Sequence, residues 1–254
     1  MAGRHFELRE RPKKGPKPIR FRDLILFEDE RVIVVNKPAG LASLSDRERE
    51  ENLQDLGKKY HPEATLAHRL DKLTTGVIVF AKGPDNYRAL AGAFAKREVI
   101  KHYIALVHGS RDFEEEIIEL PIGTSGRGKA RIDALSGKES LTVVDTAEKF
   151  QHVTLVDCQP LTGRMHQIRV HLSAIGHPLV GDVDYGGKDI FLSEFKRNYK
   201  YNRKLEESPI NPGFLLHARG IALPLPGDTE ETTFIAPLPK KFETAVRILR
   251  KYDV

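Results

Sequence analysis

Short apolar runs alternate along the chain with polar breaks marked by glycine or proline, and their spacing predicts most of its elements. Val32-Ile33-Val34-Val35 follows a turn at Asp29-Glu30-Arg31 and is broken by Asn36-Lys37-Pro38-Ala39-Gly40, so it reads as a strand. A polar helix is expected over 46–59, and Val77-Ile78-Val79-Phe80 reads as a buried strand. Residues 85–97 form an amphipathic pattern with Tyr87, Leu90, Ala91 and Phe94 on one face. Pro84 sits near its start, where a missing N–H costs little. A strand over 100–107 ends at His108-Gly109, and 123–139, rich in glycine, reads as a loop or mobile excursion. Strands follow at 141–147 and 152–158, then a helix over 165–175 with Ile168, Leu172 and Ile175 on one face, stopped by Gly176 and Pro178. A strand over 214–223 and an amphipathic helix over 240–251 complete the pattern.

The helices fall among the strands without a regular βαβ rhythm, which favours an α+β or mixed α/β sheet over a doubly wound parallel one. The chain has no internal repeat, no P-loop and no dinucleotide fingerprint.

Composition adds boundaries. At 254 residues, 40% hydrophobic and 30% charged, the chain has the make-up of an ordinary globular protein. It contains no run of about 18 apolar residues of the kind a transmembrane helix needs. It opens on no apolar signal-like core, and its single cysteine, Cys158, has no partner for a disulfide or a thiolate metal site. We therefore expect a cytoplasmic protein. The net charge of +5 is unevenly spread: the first 22 residues carry eight Lys or Arg against Glu7 and Glu10, so the remainder is close to neutral. That tail, with Pro12, Gly15, Pro16 and Pro18, is expected to be disordered and able to grip RNA phosphates, with residues 23–254 as one domain. A second basic segment, 196–204, mixes Lys196, Arg197, Lys200, Arg203 and Lys204 with Tyr199 and Tyr201, a pattern suited to looped RNA or to a solvated face.

Two stretches carry the chemistry. In His68-Arg69-Leu70-Asp71-Lys72-Leu73-Thr74-Thr75-Gly76, one carboxylate lies in a turn-like segment before a buried strand, well placed to meet a substrate. In Leu161-Thr162-Gly163-Arg164-Met165-His166-Gln167-Ile168-Arg169-Val170-His171-Leu172, a turn leads into a helix whose first N–H groups are free. Arg164, His166, Gln167 and Arg169 add side-chain donors there, which suits a phosphate or a carboxylate partner. His166, His171, His177 and Asp182 raise a metal reading, but His166 and His171 lie five apart, about 140° around a helix, so they diverge.

The first stretch resembles the H-R-L-D-x-x-T-S-G signature of the RluA-type pseudouridine synthases, with Thr75 in place of Ser. The second, with Gly176-His177-Pro178-Leu179-Val180-Gly181-Asp182 and Tyr185-Gly186, resembles their G-R-x-H-Q-I/L-R-x-H-L pattern, with Met165 at the usual Thr. Val34-Val35-Asn36-Lys37-Pro38-Ala39-Gly40, Lys101-His102-Tyr103-Ile104-Ala105-Leu106-Val107-His108-Gly109 and Leu215-Leu216-His217-Ala218 resemble three further family segments, in the family's order over 24–238. The resemblance implies a long, bent, largely antiparallel mixed sheet with flanking helices, loops and a central cleft. It implies a cofactor- and metal-free isomerisation of uridine in ribosomal or transfer RNA. It implies Asp71 as catalytic carboxylate, Arg169 as its partner, and Tyr103 stacked on a flipped uracil or moving a proton. His68, Arg69, Thr74, Arg164, His166, Gln167 and Leu216 are the expected substrate contacts. The S4-type module of some members is expected to be missing, and a monomer is expected.

Breaking the bond from N1 of uracil to C1′ of ribose calls for a carboxylate nearby, which a guanidinium keeps charged in a dry cleft. The sequence leaves open attack at C1′, addition at C6, or loss of a C2′ proton to a glycal. Two rival readings stand beside the enzyme: an RNA-binding or assembly factor that has lost catalysis, and a metal-dependent hydrolase.

Overall fold

The computed structural model describes residues 19–45, 51–125, 128–197, 199–200, 206–210 and 213–254. Most of the basic tail and residues 198 and 201–204 of the second basic segment lie outside the described residues.

A 3-10 turn (Phe21–Leu24) leads into β1 (Ile25–Glu28), which pairs antiparallel with β2 (Val32–Lys37). Helix α1 (Leu53–Tyr60) begins after Asn52, whose side chain accepts the Asp55 N–H. The helix expected over 46–59 therefore starts later, because Asn52 caps it and residues 51–52 are non-helical. Strand β3 (Ala64–Leu66) pairs antiparallel with β4 (Thr75–Lys82), and α2 (Pro84–Ala95) follows. The long strand β5 (Ile100–His108) leads to β6 (Glu116–Glu119) and a separate hairpin of β7 (Ile122–Thr124) and β8 (Ala130–Ile132). The expected loop over 123–139 thus contains paired structure. Strands β9 (Leu141–Lys149) and β10 (Val153–Pro160) precede α3 (Gln167–Ala174), a 3-10 turn (Val183–Tyr185) and the short α4 (Leu192–Phe195). Strands β11 (Leu216–Pro224) and β12 (Glu231–Ile235) and helix α5 (Lys240–Tyr252) close the chain.

Ten strands make one sheet, in the order β1-β2-β4-β11-β5-β10-β9-β6, with β12 added to β11 and β3 to β4. Successive residues on its central strands pack on opposite sides. Val32 and Val34 of β2 join Val77 and Val79 of β4 against Leu90 and Ala93 of α2, while Ile33 and Val35 join Ile78 and Phe80 against Leu53 and Leu56 of α1. Farther along, Ile104 and Leu106 of β5 meet Phe242 and Val246 of α5, and Ala105 and Val107 meet Ile168 and Leu172 of α3. Both sides of these strands are covered, so they read as unbroken apolar runs rather than an alternation. The α2 stripe is shifted from the expected one: Leu90 and Ala93 are buried and Tyr87 is exposed. Helix α3 is buried all round from Gln167 to Leu172, because Val170 packs on the β7–β8 hairpin while Ile168 and Leu172 face the sheet.

The sheet contains a seam. Among the described strands β4 and β11 are the one parallel pair, joined only at Thr75 with His217 and at Gly76 with Ala218. Beyond that point β12 takes over the edge of β11 from residue 220, and β3 takes the edge of β4 from Phe80. Gly76 sits at φ +111°, and a Cβ there would lie 2.1 Å from the Ala218 carbonyl oxygen, so the close approach of the strands requires glycine. Among the described residues no helix is long and apolar enough to cross a membrane.

Candidate active site

The seam sets the position of the key carboxylate. After β3 the chain runs along the open edge of β4: the Ala67 N–H donates to the Val79 carbonyl and the Val79 N–H donates to His68 Nε2. Residues 67–71 therefore run beside that edge through a bend at Ala67 and His68, and Asp71 lines a cleft of about 690 Å³ together with Thr74 and Leu216, which flank the β4–β11 junction. Asp71 is the one carboxylate among the described residues lining the cleft, beside Arg69, Arg97, Lys101, Arg164 and Arg169.

Below the Asp71 loop lies Lys37, which is fully buried. Its ammonium donates to the carbonyls of Pro38, Leu41 and Lys72 at 3.1, 2.8 and 3.0 Å. The Lys72 carbonyl also accepts the Gly40 N–H, so the 37–41 turn and the Asp71 loop are tied by the same groups. Burial pushes Lys37 down to about 7, while nearby Asp71 pulls it back up.

Arg169 reaches the cleft from the first turn of α3 and is 4% exposed. Its Nε and Nη2 donate to the two carboxylate oxygens of Asp182 at 2.7 and 2.8 Å, and its Nη1 lies 3.4 Å from Asp71 Oδ2. The guanidinium lies between the rings of Tyr185 and Phe214, 4.8 and 4.4 Å from their centroids. Burial alone would lower its pKa, but the bonds and charge of Asp182, with Asp71, raise it above the usual arginine value. The expected Asp71 partner is therefore next to Asp71, but its main clamp is Asp182, and Asp71 takes the third branch of the fork.

His166 stands at φ +53° just before α3 and contributes the other neighbour, with Nε2 3.8 Å from Asp71 Oδ1. Its Nδ1 bonds the Tyr185 hydroxyl at 2.7 Å, and that same oxygen accepts the Ala130 N–H of the hairpin. With the phenol donating to Nδ1, the Nε2–H lies on the Asp71 side. Burial lowers the His166 pKa, favouring this neutral form.

The remaining expected contacts divide into two groups. Thr74, Arg69, Tyr103 and Leu216 face the cleft. Thr74 is buried with no partner for its hydroxyl, and Arg69 is exposed with no ion-pair partner among the described residues. Tyr103 packs between the core clusters under α1 and α3, and burial, with the Asp71 charge, raises its phenol pKa. Arg164 donates from Nε to the Glu139 carbonyl. His68 and Gln167 also line the cleft but are committed internally. His68 fills the gap in the β4 ladder, leans on Phe94, and is pushed down to about 3 by burial and by Lys101. Gln167 accepts from Thr162 Oγ1 and the Arg164 N–H and donates to Leu141 and Thr142, so its amide is saturated. Thr75 bonds His217 Nδ1 at 2.8 Å across the seam, which is where the hydroxyl shared with the usual Ser is used.

Tyr185 and Phe214 were not singled out as site residues from the sequence, and Asp182 was weighed only as a metal ligand, although Asp182 and Tyr185 lie in a matching segment. A carboxylate thirteen positions after an arginine was the available signal; the flanking rings come together only in the fold.

With this geometry in place, sequence and structure comparisons agree. The sequence model of the RNA pseudouridylate synthases matches residues 31–174, a span holding Asp71, Tyr103 and Arg169, and the chain belongs to that family. The chain is similar to the dual-specificity RNA pseudouridine synthase RluA of Escherichia coli K12, at 33% identity over 84% of this chain and 92% of that one. It is similar to the ribosomal large subunit pseudouridine synthase C of Buchnera aphidicola subsp. Baizongia pistaciae, at 35% identity over 90% of this chain and 71% of that one. The solved structure of human RNA pseudouridylate synthase domain containing 4 superposes with a TM-score of 0.68 at 26% identity, covering 91% of this chain and 95% of that one.

Proposed function

We propose that this RNA pseudouridine synthase isomerises uridine in ribosomal or transfer RNA through Asp71. The observation that carries the assignment of Asp71 is its position: the one acid in a basic cleft, between the Nε2 of His166 and the third branch of an arginine clamped by Asp182. An RNA strand is drawn by the cations, and the scissile carbon is presented to the carboxylate. The names of the relatives, one a dual-specificity RNA enzyme and one a ribosomal large subunit enzyme, support an RNA substrate and, in the second case, a ribosomal one. The protein works as a monomer in the cytoplasm on a uridine turned out of its stack, which is easiest in a loop.

In the reaction the N1–C1′ bond breaks, the base turns, and a C5–C1′ bond forms as C5 loses its proton and N1 gains one. Asp71 serves as nucleophile or as the base that gives a glycal. Arg169 and His166 hold its two oxygens. Tyr103, kept as a phenol, stacks on the turned base or hands over a proton, and Thr74 lines the cleft beside them. His68 and Gln167 act through the walls of the cleft rather than by touching RNA.

The test is tritium release from cellular RNA labelled at C5 of uridine, taken from cells lacking the protein. Release by wild type and none by Asp71→Asn is the expected result. Equal release by both removes Asp71 from the chemistry. Binding without release by wild type favours the RNA-binding reading.

A further inference from the structure

We infer that Arg97 is an RNA phosphate anchor at the rim of the cleft, forming with Lys101 and Arg164 a cationic wall for the phosphodiesters beside the reacting uridine. The inference rests on the RNA reading above and deepens it.

The first observation is backbone conformation. Helix α2 ends with Glu98 N–H bonded to the Ala93 carbonyl and Arg97 N–H bonded to the Phe94 carbonyl, and Arg97 itself sits at φ +61°. This is the left-handed position that closes a helix, where glycine is strongly favoured and any side chain is strained. The chain places its longest cation there. Local folding supplies no reason, because the side chain is 58% exposed and its contact is Glu139, itself 63% exposed, at 3.1 Å. Exposed pairs of this kind add almost nothing to stability. A strained conformation kept without local benefit points to function.

The second observation is the company Arg97 keeps. Arg97, Lys101 and Arg164 line the same cleft as Asp71. Lys101 is bonded to the Thr162 carbonyl and has no carboxylate partner among the described residues. Burial pushes it down to about 8, so an arriving phosphate would hold its proton more firmly. Glu139 connects the other two, accepting from Arg97 through its side chain and from Arg164 through its carbonyl. A solvent-exposed carboxylate in that place is readily exchanged for a phosphodiester, which offers the same paired oxygens to a guanidinium.

The experiment measures binding of a short RNA stem-loop with a uridine loop by fluorescence anisotropy across a salt series, beside melting of each variant. Arg97→Gly should weaken binding about five- to tenfold and flatten the slope of log K against log salt by roughly 0.7–0.9, the loss of one phosphate contact. Its melting temperature should rise by about 2–4 °C as the strain is relieved. Arg97→Lys should keep the wild-type slope, and Glu139→Gln should tighten binding. Equal slopes for wild type and Arg97→Gly overturn the inference whatever the melting temperature. Wild type that binds with these slopes but releases no tritium overturns the isomerase reading alone. Wild type that releases tritium while Arg97→Gly keeps its slope overturns the phosphate anchor alone.

Discussion

Replacing Arg169 by Lys separates charge from geometry at the centre of the site. Alanine is a poor probe, because it leaves Asp182 buried without a counter-charge, at about 3–5 kcal/mol. Lysine keeps one positive charge for Asp182 but has no planar fork. It loses one of the two short bonds to Asp182, about 1.5–3 kcal/mol, and the stacking between Tyr185 and Phe214, about 0.5–2 kcal/mol. The expected stability loss is therefore roughly 2–5 kcal/mol, read as a fall in melting temperature of roughly 4–20 °C. An ammonium engaged by Asp182 cannot also reach Asp71, so Asp71 loses the branch at 3.4 Å. A displacement of the carboxylate on the order of 1 Å lowers turnover about 100-fold. The assay is single-turnover tritium release at saturating enzyme, run well below the onset of melting. A variant that melts earlier yet turns over within about threefold of wild type would refute the reasoning, because Arg169 would then be holding Asp182 for the fold and not Asp71 for the reaction.

Three further outcomes follow from particular contacts. Gly76→Ala forces a methyl group into the Ala218 carbonyl at the seam and should cost at least about 3 kcal/mol, measured by denaturant unfolding; a loss below about 1 kcal/mol would mean the strands can part there. Lys37→Met removes the ammonium from three carbonyls beneath the Asp71 loop, of which that of Lys72 keeps the Gly40 N–H, and should lower both stability, by about 2–4 kcal/mol, and turnover, whereas a variant with normal melting and normal activity would deny the tie. The third is a pH effect at His68. In the unfolded chain it takes a proton near 6.5, but in the folded protein only near 3, so the unfolded state binds more protons across that window and stability falls as pH falls through it. His68→Gln should flatten the slope below pH 6.5 by about 1 kcal/mol per pH unit in urea titrations, and an unchanged slope would place the titration elsewhere.

The sequence made the long elements legible for a physical reason. β2, β4 and β5 are covered on both sides, so they appear as unbroken apolar runs that end at Pro or Gly. β1, β6 and β12 are four or five residues long and largely exposed, β3 is only three residues long, and the existence of all four depends on a neighbour's edge rather than on their own pattern. The hairpin of β7 and β8 is hidden similarly in a glycine-rich stretch. At the site, resemblance named Asp71, Tyr103 and Arg169, which the fold brings to one cleft, but it could not separate side chains with free polar groups from those committed to the wall. His68 and Gln167 have polar side chains at matching positions, and only the hydrogen bonds to Val79, Leu141 and Thr142 reveal them as internal. Lys37 read as part of a strand-ending turn, since its three carbonyl partners are brought together by the fold.

The location of the site follows from the seam more than from any single motif. Two register pairs join β4 to β11, and each strand then takes a different neighbour on that edge. A sheet that changes partners leaves unfilled backbone positions and a gap above them, which is why crevices at such switch points collect ligands. Here the gap in the β4 ladder is filled by His68, which fixes the path of residues 67–71 and delivers Asp71 to the junction. Thr75 and His217 lock the junction from below, and Arg169 arrives from α3 across the Tyr103 side of β5. The carboxylate is thus set by three independent supports: a ladder gap, a buried lysine and a clamped arginine. A loop held on three sides can keep a charged group in one orientation, as a reaction at a single carbon requires.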